Sequence, residues 1–93
     1  MAAKGPGMLD QYREIKEQHP DTILFFRMGD FYEMFYEDAI IGAETLGITL
    51  TSRDKNAENP VPMAGIPWHS VEDYLKKMVK AGHKVTLCEQ APE

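Results

Sequence analysis

Phe31 and Glu33 stand two positions apart, directly after an apolar run in the sequence. Side chains two positions apart on an extended segment point to the same side, so both project together if residues 30–33 are strand-like. A phenyl ring displayed in this way can insert between base steps from the minor groove of a duplex. A carboxylate beside it can accept a hydrogen bond from a displaced base or, when protonated, donate one. The pair predicts a module that opens a base stack and contacts one base.

Two plainer interpretations of the same residues stay open at this point. Phe31 lies close in sequence to Phe25, Phe26 and Phe35, so composition alone favours a place in the hydrophobic core. For Glu33, composition alone favours a solvated surface charge.

The charge of the chain argues against independent binding of nucleic acid. The sequence has 10 Lys and Arg against 15 Asp and Glu, a formal net charge of -5, whereas duplex binding depends on clustered cations that neutralise phosphates. An acidic module can still supply one local contact when other parts of a larger protein hold the DNA. We therefore expect any DNA-binding role to depend on further domains.

The length of the chain and its single cysteine bound the class of protein. The 93 residues suffice for one small domain, which we place at residues 8–93 after a disordered tail at residues 1–7. Cys88 has no partner for an internal disulfide, and no apolar run approaches the roughly 20 residues needed to span a bilayer. We expect a reducing, cytoplasmic setting and no membrane.

The first half of the chain alternates helical and strand patterns. Apolar residues recur every three or four positions between Met8 and Gln18 and predict an amphipathic helix. Residues 22–27 form a continuous apolar run, typical of a central strand buried on both faces. Gly29 and Asp30 interrupt that run and allow a bulge or a tight turn. Beyond it, apolar residues from Phe35 to Leu46 line one face of a helix that Gly47 caps.

The second half of the chain is richer in turn signals. Residues 48–51 alternate apolar and Thr residues, which predicts a half-buried strand. An exposed loop is expected at residues 53–60. A strand at residues 61–66, bracketed by prolines, is predicted for an edge or boundary of the sheet. Ser70 is a candidate N-cap for a helix that ends at residues 80–82 and has Val79 on its apolar face with Val71, Tyr74, Leu75 and Met78. Residues 85–88 form a last strand.

Together these elements predict an α+β (α/β-like) fold. We expect a single small domain with one mixed β-sheet covered by about three helices. The pattern leaves the strand order open, because nothing in a local sequence pattern specifies which distant strands pair.

Clustered carboxylates raise the possibility of a metal site. Asp30, Glu33, Glu37 and Asp38 lie close together in sequence, and such acids hold Mg²⁺ in phosphoryl-transfer enzymes. A small metal-dependent nuclease is therefore one alternative, although no neighbouring Lys or His completes a hydrolytic site. No P-loop sequence occurs in the chain, so it cannot by itself bind ATP through one. We predict no catalytic residue, no metal and no cofactor within it.

Two blocks of sequence resemble a known family. The run from Arg27 to Tyr36, which holds a Phe-x-Glu motif, and the segment Pro62–His69 resemble the N-terminal mismatch-recognition domain of the MutS family of DNA mismatch repair proteins. The resemblance extends from Met8 to Gln90. It implies that the partner is mismatched double-stranded DNA, that Phe31 wedges into the mispair and that Glu33 hydrogen-bonds a base.

The same resemblance implies supporting contacts. Met63 and His69 would lie beside the Phe-x-Glu edge and contact the opened minor groove. Arg53 matches a basic position of the family, and we expect it to contact a phosphate; Lys55 is a weaker candidate for the same role. A protein-interaction or scaffolding module, which would suit the acidic surface, remains the alternative from a different class.

The resemblance also implies a larger parent protein. Members of the family are dimeric, DNA-dependent ATPases that use ATP and Mg²⁺ in parts far downstream of this domain. The remaining domains of the parent would therefore be partners of this chain, and dimerisation would occur through them. The family's domain continues past Cys88–Gln90 with a further strand, so we expect the chain to be truncated at its C-terminal end.

Overall fold

The computed structural model describes residues 7–53 and 58–89 of the chain. Nearly all of the expected disordered tail, the centre of the predicted loop with Lys55, and Gln90 lie outside the described residues. The elements follow the order α1 (Met8–Gln18), β1 (Ile23–Met28), β2 (Phe31–Phe35), α2 (Tyr36–Leu46), β3 (Thr51–Arg53), β4 (Val61–Pro67), a 3₁₀ turn (Trp68–Ser70), α3 (Val71–Lys80) and β5 (Val85–Cys88).

The five strands form one mixed sheet in the order β3-β4-β2-β1-β5. β1 pairs in parallel with β5, and every other pair is antiparallel. The expected class, a small α+β domain with a mixed sheet and three helices, is confirmed. β1 is an interior strand as predicted, although the middle position of the sheet belongs to β2.

Helices cover both faces of the sheet and enclose two apolar clusters. On one face, α2 and α3 contribute Ala39, Ala43, Leu46 and Met78 to a cluster with Phe25, Tyr32, Met34 and Ile66. On the other face, α1 contributes Tyr12 to a cluster with Leu24, Phe26 and Phe35. Continuous burial of β1 at positions 23–26 follows from this arrangement, because its alternate side chains enter opposite clusters.

A buried polar group ties α1 to the start of α2. Asp38 accepts hydrogen bonds from the Tyr12 hydroxyl at 3.0 Å, the Leu24 backbone N–H at 3.0 Å and the Lys16 ammonium at 3.0 Å. The Tyr12 hydroxyl in turn accepts the Phe35 backbone N–H at 3.2 Å. Burial is the main reason why the pKa of Tyr12 is raised above its ordinary value.

The sequence pattern missed β2 as a separate strand. Phe35 was expected on the helical face, but it is the last residue of β2, and α2 begins at Tyr36. Only one tight turn separates β2 from β1. The sequence of β2 is short and runs directly into α2, so it resembles the start of that amphipathic helix. Tyr36 has a φ of 59° in the left-handed region, which marks the abrupt change from strand to helix.

Two further strand predictions are wrong in position. The strand expected at residues 48–51 begins only at Thr51, because β3 pairs with β4 through Thr51–Arg53 alone. β4 is an interior strand between β3 and β2 rather than an edge. Its prolines, Pro62 and Pro67, stand at or next to its ends, so the donors between them remain able to pair with neighbours.

Helix boundaries agree closely with the sequence. α1 spans the predicted residues, and Gly47 caps α2 with a φ of 71°. Ser70 is the N-cap residue of α3, but its side chain makes no capping hydrogen bond. Val79, which was placed on the apolar face of α3, is 64% exposed and therefore lies outside the core.

Candidate nucleic-acid interface

Phe31 is displayed at the tip of the β1–β2 hairpin. It is the first residue of β2, directly after the two-residue turn Gly29–Asp30, and its neighbours across the sheet are Met28 and Pro67. Gly29 has a φ of 62°, which makes a tight hairpin turn accessible at that position. The Phe31 side chain is 45% exposed. The structure therefore places Phe31 outside the core, with an apolar ring facing solvent.

Glu33 lies on the same face of β2 as Phe31. Its neighbours across the sheet are Phe26 on β1 and Gly65 on β4. The carboxylate lies so close to Gly65 that any side chain at position 65 would collide with it. Glu33 is half-buried there, and this burial raises its pKa above the ordinary value. It is therefore neither a core residue nor a freely solvated charge.

Arg53 and Met63 share this face of the sheet. Met63 pairs with Phe35, and Arg53 pairs with Val61, so the alternation along β2 and β4 brings both side chains to the Phe31 side. Arg53 ends β3 and is exposed, rather than lying in a loop as predicted. From the register it stands about 20 Å from Phe31 along the strands. Met63 is half-buried against the α1-side cluster, which is the cluster of Tyr12, Leu24, Phe26 and Phe35.

His69 lies in the 3₁₀ turn that follows β4. Pro67, the last residue of β4, pairs with Phe31, so the turn begins beside the hairpin tip. His69 is exposed, and its ring stands edge-on to Trp68 with 6.2 Å between the ring centroids. Trp68 is 45% exposed. The structure thus brings Phe31, Glu33 and His69 to one end of the sheet, with Met63 and Arg53 further along β4 and β3.

A second group of side chains surrounds the hairpin tip from the opposite face. The guanidinium of Arg27 lies over the Trp68 ring, 4.8 Å from its centroid, and near the Tyr32 ring at 5.7 Å. Arg27 Nε donates to the Gly29 carbonyl at 2.7 Å. Sequence reasoning assigned no role to this group. The sequence signal that could have found this group is the Gly-Asp dipeptide, because a two-residue hairpin turn at Gly29–Asp30 places Arg27 opposite Tyr32.

The four clustered acids do not form a cation site in the described residues. Asp38 is buried and bonded to Tyr12, Lys16 and Leu24, whereas Glu33 stands over Gly65 on another strand. Within residues 7–53 and 58–89, no group of three His, Cys, Asp or Glu side chains could hold a metal ion. In the same residues, no helix is both long and apolar enough to cross a membrane.

The fold and this edge define a small α+β domain that displays an aromatic ring and a carboxylate side by side at one end of its sheet. Residues 6–93 match the family model for MutS domain I. The chain is 59% identical over 85 residues to the DNA mismatch repair protein MutS of Streptococcus suis and 55% identical over 86 residues to that of Lawsonia intracellularis. These matches cover 91% and 92% of the chain. The chain belongs to the MutS domain I family.

The relatives are much longer than the chain. It spans 10% of the length of the Streptococcus suis protein, and also 10% of the Lawsonia intracellularis protein. A MutS protein of Streptococcus pneumoniae, 58% identical over 85 residues, is matched over the same small share. Activities of the whole relatives therefore involve many residues beyond those of this chain.

Proposed function

We propose that this chain is the mismatch-recognition module of a DNA mismatch repair protein. The observation that carries the proposal is the exposed Phe31 ring at a hairpin tip, with half-buried Glu33 beside it on the same face. Membership of the MutS domain I family and relatives described as DNA mismatch repair proteins support the same conclusion. The module binds mismatched double-stranded DNA and performs no catalysis.

Phe31 acts as the wedge in this proposal. An apolar side chain that enters between base steps from the minor groove costs a few kcal/mol of unstacking per step. A mispaired step has already lost part of its stacking and pairing energy, so the ring enters it at lower cost. Discrimination then depends on the deformability of the step, and Phe31 needs no base-specific hydrogen bond. The hairpin supplies the required projection beyond the body of the sheet.

Glu33 contacts one base beside the wedge. An ionised carboxylate is repelled by the phosphates, so its approach to a well-paired duplex is costly. A displaced base can offset that cost by donating a ring N–H, or by accepting from Glu33 in its protonated form. The raised pKa of Glu33 favours the second possibility more than an ordinary glutamate would. Glu33 thereby penalises binding to paired DNA more than binding to a mispair.

Three further residues support this contact. His69 lies in the turn beside the hairpin tip, where it reaches the opened minor groove. Met63 lies further along β4 on the face that carries Phe31 and contacts the same groove. Arg53 stands about 20 Å from Phe31 along the strand direction, the length of about six base pairs of duplex, and contacts a phosphate there. Such a phosphate contact sets the register of the wedge without specifying sequence.

The parent protein supplies the remaining functions. It is a DNA-dependent ATPase that binds ATP and Mg²⁺ outside this domain and dimerises through those other parts. Its other domains hold the DNA, which accounts for an acidic recognition module with a net charge of -5. The proposal assigns this chain the recognition step alone.

Replacing the wedge tests the proposal in the full-length protein. Phe31→Ala should reduce the preference for a mismatched over a paired duplex by about tenfold to a hundredfold, since stacking of an aromatic residue on a base contributes about 1–3 kcal/mol. Non-specific binding should be largely retained. Fluorescence anisotropy with matched and mismatched duplexes at one salt concentration measures both affinities.

Leu50→Ala is the matched control for this experiment. Leu50 is 46% exposed, close to the exposure of Phe31, but it lies in the segment before β3. Its replacement should leave the preference unchanged. If Phe31→Ala preserves the parental preference for a mismatch, the wedge assignment is wrong.

A further inference from the structure

Arg27 makes an unusually complete set of contacts for a surface cation. Its Nε donates to the Gly29 carbonyl at 2.7 Å, and its guanidinium carbon lies over the Trp68 ring, 4.8 Å from the centroid. Nη1 lies 3.4 Å from a carboxylate oxygen of Glu89, and that carboxylate also accepts from the Tyr32 hydroxyl. These contacts join β1, β2, the 3₁₀ turn and the end of β5.

The turn that carries Phe31 is held by these contacts from two directions. Arg27 binds the carbonyl of Gly29, and the Trp68 backbone N–H donates to the carbonyl of Asp30 at 2.9 Å. Both carbonyls belong to the two-residue turn between β1 and β2. The stack of Arg27 on Trp68 links the two hydrogen bonds. The turn is therefore held at both of its residues, by a side chain at Gly29 and by a backbone N–H at Asp30.

We infer that Arg27 is a positioning residue that holds the Gly29–Asp30 turn and, through it, the orientation of the Phe31 ring. The inference rests on the proposed function, in which Phe31 is the wedge. A wedge that opens a base step must keep its direction against the resistance of the stack, and a two-stranded hairpin by itself is only marginally stable. The stacked and hydrogen-bonded guanidinium supplies this rigidity.

The geometry of the contacts requires arginine in particular. A guanidinium is planar and has donors in a fixed fork, so it can lie over Trp68 while Nε reaches Gly29 and Nη1 reaches Glu89. The ammonium of lysine is a compact charge without that plane or fork. Arg27→Lys therefore preserves the charge and removes the positioning geometry.

A direct phosphate contact is the competing role for Arg27. Its position argues against that role, because Arg27 pairs with Tyr32 and so projects to the face opposite Phe31 and Glu33. The Glu89 carboxylate also offsets its charge. The exposed ion pair itself contributes little energy, so the stack and the Gly29 hydrogen bond carry the positioning.

The first test uses Arg27→Met and Arg27→Lys in the full-length protein. Both variants should lower the ratio of mismatched to paired duplex affinity about tenfold, the expected size for loss of a charge-assisted hydrogen bond. Affinity for paired duplex and its salt dependence should stay close to those of the parent. Lys80→Met, which removes a charge from the exposed end of α3, serves as the control and should leave the ratio unchanged.

The second test measures the turn itself. This test uses the 93-residue chain, in which Trp68 is the single Trp, so that its fluorescence reports on the contact with Arg27. Arg27→Met and Arg27→Lys should make Trp68 more accessible to quenching by acrylamide, while thermal unfolding confirms that each variant is folded. A rise in quenching with an unchanged affinity ratio would show that the stack exists without positioning Phe31, and would overturn the inference.

The outcomes separate this inference from the proposed function. Full rescue by Arg27→Lys, with a shallower salt dependence for Arg27→Met, would indicate a phosphate contact and overturn the positioning role. If Phe31→Ala removes the mismatch preference and neither Arg27 variant changes it, the inference alone fails. If Phe31→Ala leaves the preference intact, the proposed function fails first.

Discussion

Glu33 combines two electrostatic costs at one position. In the free protein its carboxylate is half-buried over Gly65, and in the proposed complex it approaches the phosphates of DNA. Both environments disfavour the ionised form, because burial removes water and the phosphates add negative potential. Phe31 carries no such cost. In the proposed complex the two residues have different roles: the apolar ring of Phe31 enters the base stack, and the carboxylate of Glu33 disfavours DNA that offers it no hydrogen bond.

Replacing Glu33 with its neutral isostere should reverse that penalty. In the full-length protein, Glu33→Gln keeps the shape and hydrogen-bonding capacity of the side chain but removes the repulsion. We expect tighter binding to perfectly paired duplex and a smaller ratio between mismatched and paired affinities, by about tenfold. Anisotropy titrations with both duplexes check this. An affinity ratio equal to that of the parent would contradict the role of Glu33.

The raised pKa of Glu33 also predicts that the stability of the chain depends on pH. Burial raises the pKa of Glu33, so the folded chain holds the proton more tightly than the unfolded chain does. The resulting stabilisation is fully present below the unfolded pKa of about 4 and is lost as pH rises through the raised folded pKa. Relative to the parent, Glu33→Gln should therefore gain stability between pH 4 and pH 7 in urea unfolding, whereas the difference should vanish at lower pH.

At the scale of elements, the Tyr12–Asp38 contact connects three parts of the chain. It joins α1 to the start of α2 and to the backbone of Leu24 on β1, beneath the α1-side cluster. Buried polar groups need all their partners, since an unpaired one loses its hydration without compensation. This contact lies where β2 ends and α2 begins, and it includes the Phe35 backbone N–H. It thereby anchors the end of β2 that lies away from Phe31.

Removing one hydroxyl tests the importance of that anchor. Tyr12→Phe leaves the Phe35 N–H and one Asp38 oxygen without the Tyr12 hydroxyl, so we expect a loss of about 1–3 kcal/mol in the free energy of unfolding. Urea denaturation followed by circular dichroism gives the value. Tyr74→Phe, which removes a hydroxyl from a half-buried tyrosine on α3, should change stability by less than about 0.5 kcal/mol. Equal effects of the two substitutions would argue against the anchor.

At the scale of the whole molecule, net charge limits what the domain does alone. The surface is acidic, and the candidate interface contains one exposed cation, Arg53, among the residues assigned to it. Phosphate neutralisation supplies most non-specific affinity for DNA. In the proposed function, recognition and grip are therefore separate: the hairpin tip senses the base step, and other parts of the parent hold the duplex.

This separation predicts weak binding by the isolated chain. At physiological salt, the 93-residue chain should bind duplex DNA with a dissociation constant weaker than about 10⁻⁴ M, beyond the usual range for non-specific binding. Anisotropy titration with a labelled duplex measures this, with the full-length protein as the positive control. Tight binding by the chain that weakens steeply with added salt would show that it carries its own electrostatic grip.

The accuracy of the sequence predictions depended on how local each feature was. α1 and the Gly47 cap agreed with the structure because helical spacing and a left-handed cap are decided within a few residues. β4 was misplaced at an edge because the positions of Pro62 and Pro67 relative to its pairing register depend on distant strands. The phosphate role of Arg53, like the roles of Met63 and His69, stays a prediction, since only its place on the face is established.

The sequence by itself determined the α+β class, the helix positions and the Phe-x-Glu motif, because periodicity, turn residues and short motifs are properties of neighbours along the chain. Only the tertiary structure decided that Phe31 is exposed rather than buried, that Glu33 stands over Gly65, and that Arg27 lies on Trp68. Each of these depends on contacts between different strands or between a strand and a later turn. Such contacts follow from the packing of the two faces of one sheet, which no local pattern specifies.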